Sequence, residues 1–447
     1  MLASLSRALN LAAALVAACL LVSASFAQTT APAKPSTSTK KPAASSSKPK
    51  PKPKPATTAA KKPVKPAVPP PPPPPPPVEL IGLIVMPPDA FRSGPPTGQF
   101  DSEGRRAAAP RFEGQPVQGV SSIKPGTTAG AWWALSDNGF GGKWNSSDYR
   151  LCMYLFDVRP RTEAGADSRN ALQAIVELSD PAKFFPWRIA DENSPERLLT
   201  GLDADPESLV TMPDESFWIG DEFGPWLMHF SADGELLAPP VELPDNVRSV
   251  DHPLAITRAD IPRLPHSRGL EAMDLAGDNQ TLVSILEGTV GGDPAKTLRV
   301  QRYDTAAGKW LTPTLIYELD ADSTSVTDMS LVDGNRFVVV ERDDQQGDAA
   351  RAKRVYSIDL DRAVTGKPLQ KKLVIDLLSI GNSRGLVVTT PAGAPFRFPY
   401  LTIESIQVLD RKHVVIVNDN NYPATGGRGV NVKDATEWIW LELANPL

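Results

Sequence analysis

Acidic side chains recur in this sequence at two repeated places. Glu207, Glu271 and Glu404 each open a short segment, Glu207-Ser208-Leu209, Glu271-Ala272-Met273 and Glu404-Ser405-Ile406, and each is followed 15 or 16 residues later by a second acid, Glu222, Glu287 and Asp419. Two further copies carry Asp137 and Glu341 in the second place, with Ser121 and Met329 in the first. If the copies are related by rotation, equivalent residues form rings, so the pattern predicts two rings of carboxylates meeting at one face of an axial channel.

Carboxylates crowded into low dielectric raise one another's pKa unless cations pair with them. Their hard oxygens suit Ca²⁺, which accepts about six to eight irregular ligands, including amide and carbonyl oxygens such as those near Asn138 and Asn420. The same residues have a structural use as well. Each Glu could tie its blade to the next through backbone amides, or through Arg268 and Arg342.

Other catalytic patterns are missing: the sequence has no Gly-x-Ser-x-Gly elbow, His-Glu-x-x-His helix, Walker loop, Cys-x-x-Cys pair or Arg-His-Gly nucleophile. The four histidines, His229, His252, His266 and His413, are scattered. His252 and His266 lie in a Pro-rich loop, Asp245 to Ser267, and read as surface residues.

The elements that must position the acids recur in one order. A short segment, a strand ending in an acidic turn, a third strand and a fourth run through Gly119 to Leu178, then Pro206 to Leu243, Leu270 to Leu319 and Met329 to Leu377. A fifth copy, Ile403 to Leu443, lacks its last strand. Four-stranded units of about 40 to 60 residues are the signature of an all-β propeller. The strand-like segment Val78 to Val85 is orphaned at the other end and can close the ring by completing the last blade. This reading gives five blades, with a sixth if Gln99 to Phe112 supplies one. A β-sandwich would account for the strands but not for their shared phase.

Ahead of this domain, which spans 78–447, lie two segments of different character. Residues 1–27 have one charge, Arg7, an apolar run from Leu11 to Val22 and small residues at Ser25 and Ala27, the pattern of a cleaved export signal. Val16-Ala17-Ala18-Cys19 also fits a lipobox, in which Cys19 would become an acylated N-terminus. Residues 28–77 are Lys, Pro, Ala, Ser and Thr, ending in nine prolines, a composition that builds a disordered or polyproline tether rather than a core. Nine prolines make a rod of roughly 28 Å at about 3.1 Å per residue. The lysines could contact an anionic cell envelope. The expected location is therefore periplasmic or secreted.

Of the 47 basic and 52 acidic residues, eleven basic and no acidic ones precede Val78, which leaves the domain with a net charge of −16. That argues against nucleic acid as its ligand. Cys152 is the domain's one thiol, so the fold has no internal disulfide and Cys152 reads as core.

The motifs together resemble the phytase-like family, described as having esterase-like activity of phytase. They are Gly119-Val120-Ser121, Ser136-Asp137-Asn138-Gly139-Phe140-Gly141, Asp205-Pro206-Glu207-Ser208, Trp218-Ile219-Gly220-Asp221-Glu222-Phe223-Gly224-Pro225, Arg268-Gly269-Leu270-Glu271-Ala272, Leu286-Glu287, Val340-Glu341-Arg342-Asp343 and Asn418-Asp419-Asn420. The resemblance implies an exported monomeric propeller cleaving small phosphate esters with calcium. On that reading Asp137, Glu207, Glu271, Glu404 and Asp419 hold metal, Glu207, Glu222, Glu271 and Glu287 serve catalysis, and Lys143, Arg268 and Arg342 bind phosphate. The competing class is a binding or scaffold propeller offering the same mouth, with Trp144, Trp187 and Trp226, to a glycan, peptide or envelope polymer.

Overall fold

In the strand His413–Val417 every residue after the histidine is apolar and buried, as a strand covered on both faces requires. Val414 and Ile416 turn to one neighbouring sheet, while Val415 and Val417 turn to the other. The same division holds around the molecule. A computed structural model describes residues 77–390 and 394–447, and in it five small antiparallel sheets form a five-bladed β-propeller. Five separate apolar clusters each fill one interface between consecutive blades. The export signal and almost all of the tether read from the sequence lie outside the described residues.

Blade 1 comprises Val120–Pro125, Ala131–Ser136, Cys152–Arg159 and Arg169–Glu177 from the axis outward. Blade 2 comprises Pro206–Thr211, Phe217–Asp221, Trp226–Phe230 and Val241–Glu242. In blade 3, Leu270–Leu275, Thr281–Leu286 and Thr297–Asp304 are followed by two short segments, Lys309–Trp310 and Leu315–Glu318, that share the outer edge of the third strand. Blade 4 runs Ser325–Asp333, Arg336–Arg342, Lys353–Asp359 and Lys371–Asp376. Blade 5 runs Ser405–Val408, His413–Val417 and Thr436–Leu443, and its outer strand is Val78–Met86, paired from Val78 with Leu443 to Met86 with Thr436. The N-terminal strand therefore closes the ring as the orphaned sequence segment predicts. Gln99 to Phe112 forms no sixth blade; it holds only isolated bridges, Thr97 with Phe112 and Phe100 with Arg106, in the loop ahead of blade 1.

The innermost strands are tied to one another by side chains that reach the next backbone. Ser208 Oγ donates to the Leu270 carbonyl (2.8 Å), Asp274 accepts from Leu331 N (2.7 Å), and Asp328 accepts from Ile406 N (2.9 Å). Away from the acid-bearing ends of these strands, Lys124 of blade 1 crosses the axis to Asp274 of blade 3 at 3.0 Å, with both side chains nearly buried. Its charge also favours the ionised form of Asp328, whose pKa burial pushes well up. Removing one member of a buried pair leaves an uncompensated charge. Lys124→Met is therefore expected to destabilise the domain by about 3 kcal/mol, read as a lower denaturant midpoint, while Lys124→Met/Asp274→Leu recovers part of that loss. Among the described residues no helix is long and apolar enough to cross a membrane.

Candidate functional site

Three of the innermost strands begin with a register shift, and the residue at the shift is the one that sequence phase singles out. Ser121 sits between Val120 and Ser122 of blade 1, Glu207 between Pro206 and Ser208 of blade 2, and Glu271 between Leu270 and Ala272 of blade 3. A bulge leaves one residue unpaired and re-aims its side chain, here into the axial mouth. Blade 4 departs from this pattern. Its shift spans Thr327 and Asp328, so Met329 is not the equivalent residue but belongs to the apolar core between blades 3 and 4.

The longer shift also changes which residue closes the second ring. Glu341 faces away from the axis, accepting from Tyr317 Oη (2.7 Å), Asp320 N (2.8 Å) and Lys371 Nζ (2.5 Å). Arg342 takes the ring position instead, with Nη2 at 3.2 Å from Glu287 and 3.8 Å from Glu404. A cation thus stands where the repeat predicted an acid.

These residues line one cavity of about 170 Å³. Its walls carry eight carboxylates, Asp137, Asp205, Glu207, Glu222, Glu271, Glu287, Glu404 and Asp419, against two guanidinium groups, Arg268 and Arg342, with Ser121, Asn138, Thr402 and Asn421 between them. Asp205 is the acid that ring counting misses. It precedes the strand by one residue and is visible in sequence only as the start of Asp205-Pro206-Glu207. Its carboxylate accepts from Asn138 N (3.2 Å).

Some of the acids are held by the protein. Asp137 accepts from Gly139 N (2.8 Å), Asp419 from Asn421 N (3.0 Å) and Glu222 from Gly269 N (2.6 Å). Glu287 lies between Arg268 and Arg342, bonded to both. Glycine is required at two of these contacts. A Cβ on Gly269 would stand 2.5 Å from Glu222 Cα, and one on Gly119, at φ +64°, would stand 2.2 Å from Asp137 Oδ1.

Among the described residues Glu207, Glu271 and Glu404 accept no hydrogen bond from a backbone N–H or a guanidinium, and burial works against the charge of several of the others. Burial, and after it the charges of Glu404, Glu207, Glu287 and Glu222, push the Glu271 carboxyl well up. Burial, then Asp205, Glu222, Asp137 and Glu404, do the same to Glu207. Glu404 Oε2 is buried with no hydrogen-bond partner. Burial raises Asp137 to about 6, and burial with the Asp137 charge raises Asp205 to about 7. An arrangement that unfavourable to protein alone suits a cation. Carboxylate oxygens of Asp205, Glu207 and Glu222 lie within 4.8 Å of one another, as do those of Glu222, Glu271 and Glu287, so Glu222 belongs to both groups.

Several expected contributors stand elsewhere. Lys143 does not line the cavity; it is buried, with its ammonium 4.3 Å from the centre of the Phe223 ring. Trp226 is core, packed on Phe185 and His252, and Trp187 packs edge-on against His252, so of the three tryptophans only Trp144 is exposed. His252 is likewise buried rather than a surface residue. Its Nδ1 accepts from Leu254 N (3.1 Å) at the start of a one-turn helix, and burial lowers its pKa to about 4.

Fold and site together define a five-bladed propeller with an acid-lined axial mouth. The model of the phytase-like family, described as esterase-like activity of phytase, matches residues 115–422, and the chain belongs to that family. No curated protein sequence matches it. Among solved structures it is similar to a luciferin-regenerating enzyme (9% identity, 82% of this chain and 97% of that one, TM-score 0.38). It is also similar to the PQQ-bound aldose sugar dehydrogenase of Streptomyces coelicolor (13%, 80% and 97%, TM-score 0.35) and an α-L-arabinofuranosidase of Clostridium thermocellum (11%, 66% and 80%, TM-score 0.33). At these identities and scores none of them bears on the chemistry of the site.

Proposed function

We propose that this protein is an exported, monomeric hydrolase of small phosphate esters that works with a divalent cation, Ca²⁺ by preference, at the propeller mouth. The observation that carries the reading is the convergence of Glu207, Glu271 and Glu404 in one cavity where Glu404 Oε2 is buried without a hydrogen-bond partner and the guanidinium beside it, Arg342, stands 3.8 Å away. Asp205, Glu207, Glu222, Glu271 and Glu287 would hold the cation, with Asp137, Glu404 and Asp419 completing the oxygen-rich wall. When bound, the cation supplies charge neutralisation for the phosphoryl group and acidifies a water.

The chain's own groups do the rest. Arg268 and Arg342 enter from one side of the cavity and can turn from Glu287 to phosphoryl oxygens, a bidentate use that suits guanidinium. A carboxylate of the wall outside the two converging groups, such as Glu404, can receive the proton of the attacking water. The −16 charge of the domain disfavours anionic polymers as ligands. The binding-propeller alternative needs an exposed recognition surface at the mouth, and the burial of Trp226 and the half-burial of Trp187 against His252 reduce the aromatic one.

The test is phosphate release by the purified chain from a panel of esters that includes phytate, with Ca²⁺ and then with chelator. The expected result is release that chelator abolishes and added Ca²⁺ restores. No release from any ester with any divalent cation would overturn the reading.

A further inference from the structure

A histidine and an aspartate stand at the rim of this mouth in the relation that proton transfer needs. His266 Nδ1 and Asp251 Oδ2 are 2.5 Å apart, and Asp251 is itself held by Ser249, whose Oγ accepts from Asp251 N at 2.9 Å. The His266 ring lies nearly parallel to that of Phe223, 6.4 Å between centroids and 22° between planes. Phe223 is fully buried and follows Glu222 directly, so the platform under the imidazole is fixed to the acid cluster.

Two contacts place the ring at the cavity. The next residue, Ser267, is one of the groups lining it, and so is Gly141, whose carbonyl faces the imidazole. Nδ1 is committed to Asp251, so Nε2 is the ring nitrogen that can serve an incoming group. The side chain is 46% exposed, so it can exchange protons with solvent.

We propose that His266, oriented by Asp251, is the proton donor to the leaving alcohol in phosphate-ester cleavage at this site. The assignment rests on the hydrolase reading above and adds a catalytic residue to it. Water adds to phosphorus as the phosphorus–oxygen bond to the alcohol breaks. The departing oxygen takes the proton from His266 Nε2, the proton of the attacking water passes to a cavity carboxylate, and solvent restores both groups. The charged groups facing His266 are Asp251 and, across the rim, Asp205, and Lys143 shares the neighbourhood of both acids. The hydrogen bond that His266 donates to Asp251 raises the His266 pKa above its ordinary value, which favours the donor form.

The experiment compares the full chain with His266→Gln and Asp251→Asn in Ca²⁺, on glycerol phosphate and on p-nitrophenyl phosphate. An alkoxide leaving group needs a proton and a nitrophenolate does not. General acid catalysis contributes about 10²- to 10⁴-fold, so kcat on glycerol phosphate is expected to fall by about 100-fold in His266→Gln, with KM little changed. The loss on p-nitrophenyl phosphate should stay below about threefold, the scale on which no proton is required. The wild-type decline in activity as pH rises past the imidazole pKa should vanish in the variant. A Ca²⁺-dependent melting temperature equal to wild type excludes misfolding. Equal losses on both esters, or none on glycerol phosphate, would overturn the assignment while leaving the hydrolase reading intact. A wild-type chain that cleaves neither ester removes both.

Discussion

Glu222→Gln is expected to reduce Ca²⁺-dependent phosphate release by on the order of a thousandfold and, without added cation, to raise the melting temperature by a few degrees. The two effects have one cause. Glu222 contributes to both groups of converging carboxylates, so its charge serves every arrangement in which a cation could sit there. Gln keeps the volume and one oxygen, and that oxygen can still accept from Gly269 N, so the backbone contact at 2.6 Å survives. What disappears is one negative charge from a cluster in which burial, then Glu287 and Asp205, already push the Glu222 carboxyl well up. Relieving that repulsion stabilises the cation-free protein, and the same loss of charge weakens cation binding. Thermal melts with and without Ca²⁺, run beside the phosphate assay, read both effects. A variant less stable than wild type in chelator would show that Glu222 is a structural tie and not a strained ligand.

The second large effect is on stability against pH. Asp137 and Asp221 are raised to about 6, chiefly by burial, and Asp205 to about 7 by burial and its neighbour Asp137, against roughly 3.9 in an unfolded chain. A carboxyl whose folded pKa is raised binds its proton more tightly in the folded state. Its stabilising contribution is complete below the unfolded pKa and is lost as pH climbs through the folded one. The cation-free protein should therefore lose stability between about pH 4 and pH 7, by several kcal/mol in all, since each pKa unit is worth about 1.4 kcal/mol. Millimolar Ca²⁺ should flatten the curve, because a bound cation replaces the protons. Denaturant midpoints at intervals from pH 4.5 to 8, in chelator and in Ca²⁺, give the comparison. A cation-free midpoint that rises across this range would contradict the burial of these acids as ionised groups.

The acids came through the sequence well because a propeller repeats its geometry. Glu207 and Glu271 are recognisable from phase alone, since each occupies the same place one residue into the innermost strand of its blade, where the structure has a bulge. Glu404 came from the same phase. Ring closure by Val78–Met86 was legible for a related reason: a blade short of one strand leaves an unpaired edge, and an unpaired strand elsewhere is its natural partner.

The failures cluster where the repeat is broken. In blade 4 the longer register shift moved Met329 into the core, turned Glu341 outward and brought in Arg342, and no count of spacings in the other blades contains that information. Asp205, one residue before its strand, lies outside the slot that phase defines. Lys143 by resemblance, Trp226 as part of a binding mouth and His252 by its Pro-rich loop read as mouth or surface residues, yet each is buried by packing from a different part of the chain.

By itself, the sequence determined the all-β class, the number of full repeats and the identity of most acids at the mouth, because strand alternation and repeat phase are local and periodic. The tertiary structure decided which of those acids remain without a partner, that Arg268 and Arg342 share Glu287, that Lys124 bridges the axis to Asp274, and that Asp251 orients His266. Each of these depends on distances between residues on different blades or on the long loops between them. Such distances follow from how the ring closes and where its loops cross, which is a property of the whole chain and of no segment within it.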